Sequence, residues 1–219
     1  MKTTDRFFLS LLFVTGLVLF SAGQAAENKF LDFNDKLLDR VDKKYGKDAV
    51  VRLKNLTNLV KEQANGTEMQ KVEYVNDFFN AITYYNDIDH WKKKDYWATP
   101  FEKITTNGGD CEDYAIGKYF TLRELGIPDK KLRMMYVKAI KWGEAHMVLT
   151  YFPEEDDIPL VLDNINKKIL PANKRKDLVP VYSFNGDGLW LAKSRGSGKR
   201  VGESSKIRLW SDLNKRVNE

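Results

Sequence analysis

Apolar residues recur at helical spacing in the first part of this chain and at strand spacing in the second. Phe30, Phe33, Leu37, Val41 and Tyr45 return every three or four positions and stop at Gly46, which predicts a first amphipathic helix. Val50, Leu53, Leu56 and Val60 form a second stripe that ends near Asn65-Gly66. A third opens with Thr67 at the N-cap and Gln70 three positions on, a capping-box pattern, and carries Val72, Val75, Phe79 and Ile82 on its face. These stripes are core faces and carry no chemistry. Between Tyr84 and Gly109 the period is lost while aromatic residues persist, so a long ordered loop is expected there. A fourth helix is expected over residues 110–125, closed by Gly126 with Pro128 beyond it.

After Pro128 the pattern becomes that of strands, expected at residues 132–140, 146–152, 160–163, 179–184 and 188–192. Helices followed by antiparallel strands predict an α+β fold in one domain. The basic stretch from about residue 193 receives no element.

The N-terminus is read separately. Residues 7–20 are apolar except for Ser10, Thr15 and Gly16, with Lys2 and Arg6 before them and Ser21-Ala22-Gly23-Gln24-Ala25-Ala26 after. A basic start, a short apolar run and small residues make an export signal, and the run falls short of the ~20 residues that span a bilayer. The expected organisation is a signal peptide at 1–25 and a single exported domain at 26–219.

Composition narrows the class. With 42% hydrophobic and 12% aromatic residues, 14 Gly and 6 Pro, the chain is neither collagen-like, coiled-coil nor wholly disordered. Thirty-six basic against 31 acidic residues give +5, a mixed surface that offers no argument for a nucleic-acid or membrane partner. The single cysteine excludes an internal disulfide framework.

In an exported chain a lone thiol points to reactivity or to an intermolecular bridge. Cys111 lies in Asn107-Gly108-Gly109-Asp110-Cys111-Glu112-Asp113-Tyr114-Ala115. A glycine turn with Asp110 as N-cap puts the sulfur on the first turn of a helix, where free N–H groups and the helix dipole stabilise a thiolate and a developing oxyanion. The flanking Asp110, Glu112 and Asp113 oppose this, because negative neighbours raise a thiol pKa. An imidazolium could balance them, as could a hard metal ion such as calcium. They could also be acids that merely complement the dipole.

Two histidines are available as a base. His90, beside Trp91, reads as a packing or solvated residue, while His146 opens a strand. A hairpin centred between Glu154 and Glu155 would set His146 opposite Asp163 and Leu149 opposite Leu160, on one face. That arrangement supplies a nucleophile, a base and an orienter in Cys111, His146 and Asp163.

Gly108-Gly109-Asp110-Cys111-Glu112-Asp113-Tyr114-Ala115, Glu144-Ala145-His146-Met147-Val148 and Leu160-Val161-Leu162-Asp163-Asn164 resemble the bacterial transglutaminase-like cysteine proteinase family. The resemblance runs from about Phe30 to Trp190. It implies a papain/transglutaminase-like fold and a triad of Cys111, His146 and Asp163. It also implies a calcium ion on Asp110, Glu112 and Asp113. The implied substrate is the N-terminal region of a large biofilm adhesin cut at a di-alanine-type site. The implied antagonist is an inner-membrane cyclic-di-GMP receptor that sequesters the protease. A transglutaminase would use the same triad with an amine in place of water, and an exported binding module would use none of it. Trp97 and the Asn107-Gly108-Gly109 turn are the expected border of the substrate groove.

Overall fold

The computed structural model describes Leu31, residues 33–191 and residues 198–217. The expected signal segment, Phe30 and Ala192 lie outside the described residues. The first three stripes become α1 (Asp35–Tyr45), α2 (Lys47–Gln63) and α3 (Glu68–Asn80). Asn34 caps α1 by accepting from the Leu37 N–H, and the Thr67–Gln70 capping box starts α3 as its sequence demands.

The aperiodic stretch is not wholly a loop. It holds the single turn α4 (Asp87–His90) and a two-turn helix, α5 (Pro100–Thr106). Seven residues are too few to show a stripe, but Thr99-Pro100-Phe101-Glu102 is itself a capping box with proline at N1.

Next comes α6 (Cys111–Glu124), almost wholly buried. It is followed by β1 (Leu132–Ala139), β2 (Glu144–Tyr151), β3 (Leu160–Leu162), β4 (Leu170–Pro171), β5 (Leu178–Phe184), β6 (Leu189–Leu191) and β7 (Lys199–Gly202). The strands form one antiparallel sheet in the order β4-β3-β2-β1-β5-β6-β7. The tail left without assignment supplies β7 and α7 (Arg208–Val217). Trp210 and Leu213 of α7 are buried, and Trp210 packs edge-on against Phe184 at 5.5 Å between ring centroids.

The main core lies between α6 and the inner face of the sheet. Leu122, Ile116 and Phe79 meet Leu132, Met134, Leu149 and Phe184 there. Helices α3 and α6 approach closely because position 117 is glycine. A Cβ at Gly117 would sit 2.2 Å from a Phe79 ring carbon. The outer face of the sheet carries a smaller apolar cluster of Met135, Val137, Val148 and Val161. Among the described residues no helix is long and apolar enough to cross a membrane.

Candidate active site

Cys111 is the first residue of α6, half-buried at the mouth of a cavity of about 430 Å³ that His146, Tyr84, Tyr114 and Trp142 also line. The preceding Asp110 occupies the N-cap position with extended backbone, yet its side chain makes no cap bond. Burial, with the charges of Glu112 and Asp110, pushes the Cys111 thiol up, against a backbone hydrogen bond from Met147. The S–H donates to Glu112 Oε2 at 3.2 Å.

His146 and Asp163 meet, although not by the register their sequence positions predict. The observed pairs are Leu149 with Leu162, Thr150 with Val161 and Tyr151 with Leu160, two residues away from the expected alignment. The connection from Phe152 to Pro159 is longer than a tight hairpin, and β3 ends at Leu162, so Asp163 reaches the ring diagonally. His146 Nε2 lies 2.9 Å from Asp163 Oδ1, and both side chains are buried. With Nε2 committed to the carboxylate, Nδ1 is the ring nitrogen left for the thiol.

Asp163 is held from several sides. Its Oδ1 accepts the Ile165 N–H at 2.9 Å, and its Oδ2 accepts from Arg175 Nη2 at 2.7 Å. Burial by itself would raise this carboxyl. The bonds and charges of His146, the Ile165 N–H and Arg175 outweigh burial and hold it well below the usual carboxylate range. Its backbone oxygen accepts from Asn80 Nδ2 at 3.0 Å. Asn80 and Asn76 in turn accept from the fully buried Lys118 Nζ at 2.9 and 3.0 Å. Arg175, Asn80 and Lys118 escape sequence reasoning because none lies near a motif.

The acids beside Cys111 form a buried cluster that extends beyond them. Asp87, Asp110 and Asp113 bring carboxylate oxygens within 4.8 Å of one another, as do Asp87, Asp95 and Glu112. Asp87 Oδ1, Asp110 Oδ1 and Asp113 Oδ2 are buried and accept no hydrogen bond among the described residues. Burial raises Asp110, Asp113 and Glu112, and mutual repulsion adds to it for each. Lys103 is fully buried beside them with its ammonium 3.3 Å from the centroid of the Tyr114 ring, and burial lowers its pKa to about 8. One weakened lysine cannot neutralise this many buried carboxylates. Orphaned acidic oxygens in a compact group suit a hard divalent cation. Gly109 lets the group close up, since at φ +146° a Cβ there would lie 2.2 Å from Asp113 Oδ2.

The residues expected to border a groove sit elsewhere. Trp97 is a core residue, 6% exposed and stacked on Phe184 at 5.7 Å between centroids. Asn107 is the left-handed C-cap of α5, and Gly108 backs onto the ring of His90. His90 stacks on Tyr85 and hydrogen-bonds Thr106, so it packs as expected. The cavity walls are instead Tyr84, Trp142 and Ile165, all substantially exposed.

Residues 44–186 match the family model described as bacterial transglutaminase-like cysteine proteinase, BTLCP. A solved structure of Legionella pneumophila LapG is 40% identical over 83% of this chain and 96% of that one, with a TM-score of 0.72. A calcium-bound form matches with a TM-score of 0.71 at 40% identity over 83% of this chain and 97% of that one, and an EGTA-treated form with 0.72 at 40% over 82% and 97%. No curated protein matches. A family model that spans the helices, the Cys111 turn and the His146–Asp163 pair, together with that identity, means that the chain belongs to the bacterial transglutaminase-like cysteine proteinases.

Proposed function

We propose that the protein is a calcium-dependent periplasmic cysteine endopeptidase that uses Cys111 as nucleophile, His146 as general base and Asp163 as its orienter. The observation that carries this reading is that His146, hydrogen-bonded to the buried Asp163, lines the same cavity as the lone cysteine at a helix start. His146 Nδ1 takes the thiol proton, and the thiolate adds to the scissile carbonyl. The first-turn N–H groups of α6 face the resulting oxyanion. Collapse breaks the C–N bond as the imidazolium returns its proton to the leaving amine. Water, deprotonated by His146, then hydrolyses the thioester. Asp163, fixed by Arg175, keeps the imidazole oriented and stabilises its charged form.

Asp87, Asp110, Glu112 and Asp113 fit the role of cation holders, since three of these side chains have buried oxygens without hydrogen-bond partners among the described residues. Calcium would supply the positive charge that lets these carboxylates stay ionised beside a thiolate. The calcium-bound relative supports the choice of ion. The substrate proposed is the N-terminal region of a large surface adhesin, cut at a di-alanine-type site to release it and control biofilm attachment. The proposed inhibitor is a cyclic-di-GMP receptor that sequesters the enzyme.

The test is incubation of the processed chain with an adhesin N-terminal fragment and calcium. Cleavage by the wild type and none by Cys111→Ala of equal melting temperature supports the reading. Cutting by Cys111→Ala overturns it, and amine incorporation without hydrolysis assigns the triad to acyl transfer.

A further inference from the structure

A second cavity is larger than the one at Cys111. It lies on the outer face of the sheet, has a volume of about 680 Å³, and is walled by Met135, Val137, Val148, Val161, Ala172 and Leu178. Ile158 and Val179 stand exposed at its rim. Its charged lining residues are Arg175 and Lys176, both cationic, and among the described residues no acidic side chain lines it. A mostly apolar concavity of a few hundred Å³ with a few convergent polar groups is what small-ligand sites look like.

Arg175 connects this cavity to the catalytic group. The residue is 4% exposed, its Nη2 donates to Asp163 and Asp177, and its Nη1 is buried with no acceptor among the described residues. A buried guanidinium donor without a partner is costly, and a carboxylate is its natural complement. The cavity floor also leads to the imidazole, because residues 146, 148 and 150 share one face of β2 by the two-residue repeat.

We propose that this outer-face cavity is an effector site for a small amphipathic carboxylate. The apolar chain lies on the Val148–Val161 floor and the carboxylate sits at the Arg175–Lys176 end. Occupancy draws the guanidinium from Asp163 Oδ2 and loosens the hold on the His146 ring. The coupling half of this idea rests on the triad reading given above; the binding half does not.

Octanoate is a suitable probe, with octanol as its uncharged match. Methyl NMR and calorimetry on the calcium-loaded protein should show saturable binding of octanoate, with shifts centred on Val148, Val161 and Leu178. Octanol should bind about tenfold more weakly, as should octanoate to Ala172→Phe, which fills the cavity, and to Lys176→Glu. In the cleavage assay octanoate should lower kcat with KM unchanged, and Ala172→Phe should keep the uninhibited rate. No saturable binding, equal binding of octanol, or full binding to a folded Ala172→Phe overturns the site. Binding with no effect on kcat leaves the site standing and overturns its link to Asp163. Absence of any cleavage by the unliganded wild type counts against the protease reading and leaves the NMR result intact.

Discussion

At the scale of single residues, the buried charges that orient Asp163 dominate. Breaking a buried ion pair typically costs ~3–5 kcal/mol, because the partner is left charged without compensation. Arg175→Met should therefore lower the melting temperature and reduce kcat by roughly 10–100-fold with KM nearly constant, while Arg175→Lys recovers part of the rate. Steady-state kinetics beside thermal melts separate this from simple unfolding; an unchanged kcat would mean that Asp163 needs no such clamp. Lys118 makes a different prediction. Burial lowers its pKa to about 7, despite the attraction of Asp163. The unfolded chain holds the proton more tightly than the folded one between about pH 7 and pH 10.5, so this group's contribution to stability rises with pH across that window. The urea midpoint of the wild type, measured against Lys118→Met, should move in favour of the wild type from about pH 7 to about pH 9. The opposite trend would show that the folded state prefers the ammonium.

At the scale of elements, the C-terminal helix braces the acidic cluster from outside. Arg216 of α7 donates to the Trp97 carbonyl at 2.5 Å, to Tyr96 Oη at 2.8 Å and to Glu102 Oε2 at 2.7 Å. That segment donates in turn to the acids: Tyr96 N–H to Asp87 Oδ2 at 2.5 Å and Ala98 N–H to Asp113 Oδ1 at 2.7 Å. Two of the proposed cation holders are thus positioned by backbone that α7 pins. Arg216→Ala should weaken calcium binding by about tenfold in calorimetry, in the range seen when outer-shell partners of metal ligands are removed. Equal affinity in a folded variant would show that the segment holds its shape without α7. Sequence patterning found α1, α2 and α3 by their apolar stripes and α6 by its end signals, Asp110 before it and Gly126 with Pro128 after it. It missed α5 because seven residues are too few to show a stripe, with capping at Thr99 the one local signal; α7 does show an apolar face in Trp210 and Leu213, but it lies in the basic tail that receives no element.

At the scale of the whole molecule, the cluster joins α4, α5's flank and α6, so a bound cation ties elements distant in sequence. Ligand present at ~100 times its Kd stabilises by about 2.7 kcal/mol, which for a domain of this size is a shift of roughly 5–10 °C. Calcium should raise the melting temperature by that amount, EGTA should reverse it, and Asp110→Ala or Asp113→Ala should remove it. Equal melting curves with calcium and with EGTA would mean that the acids bind no calcium under these conditions.

The sequence by itself determined the fold class and pointed to the candidate site. Its period shift from helix to strand set the α+β order, and a lone cysteine after a glycine turn, with one strand histidine, marked a thiol site. These features are legible because they depend on neighbours along the chain, through capping, periodicity and turn chemistry. What the tertiary structure decided is long-range. Strand register is fixed by loop length and by the packing of β3 against β2, so His146 met Asp163 diagonally and not face to face. Asp87, Lys103, Lys118 and Arg175 joined the site from separate elements, since burial and charge pairing act through space with no local sequence trace. Trp97 went into the core because an indole buries more favourably against Phe184 than at a groove rim.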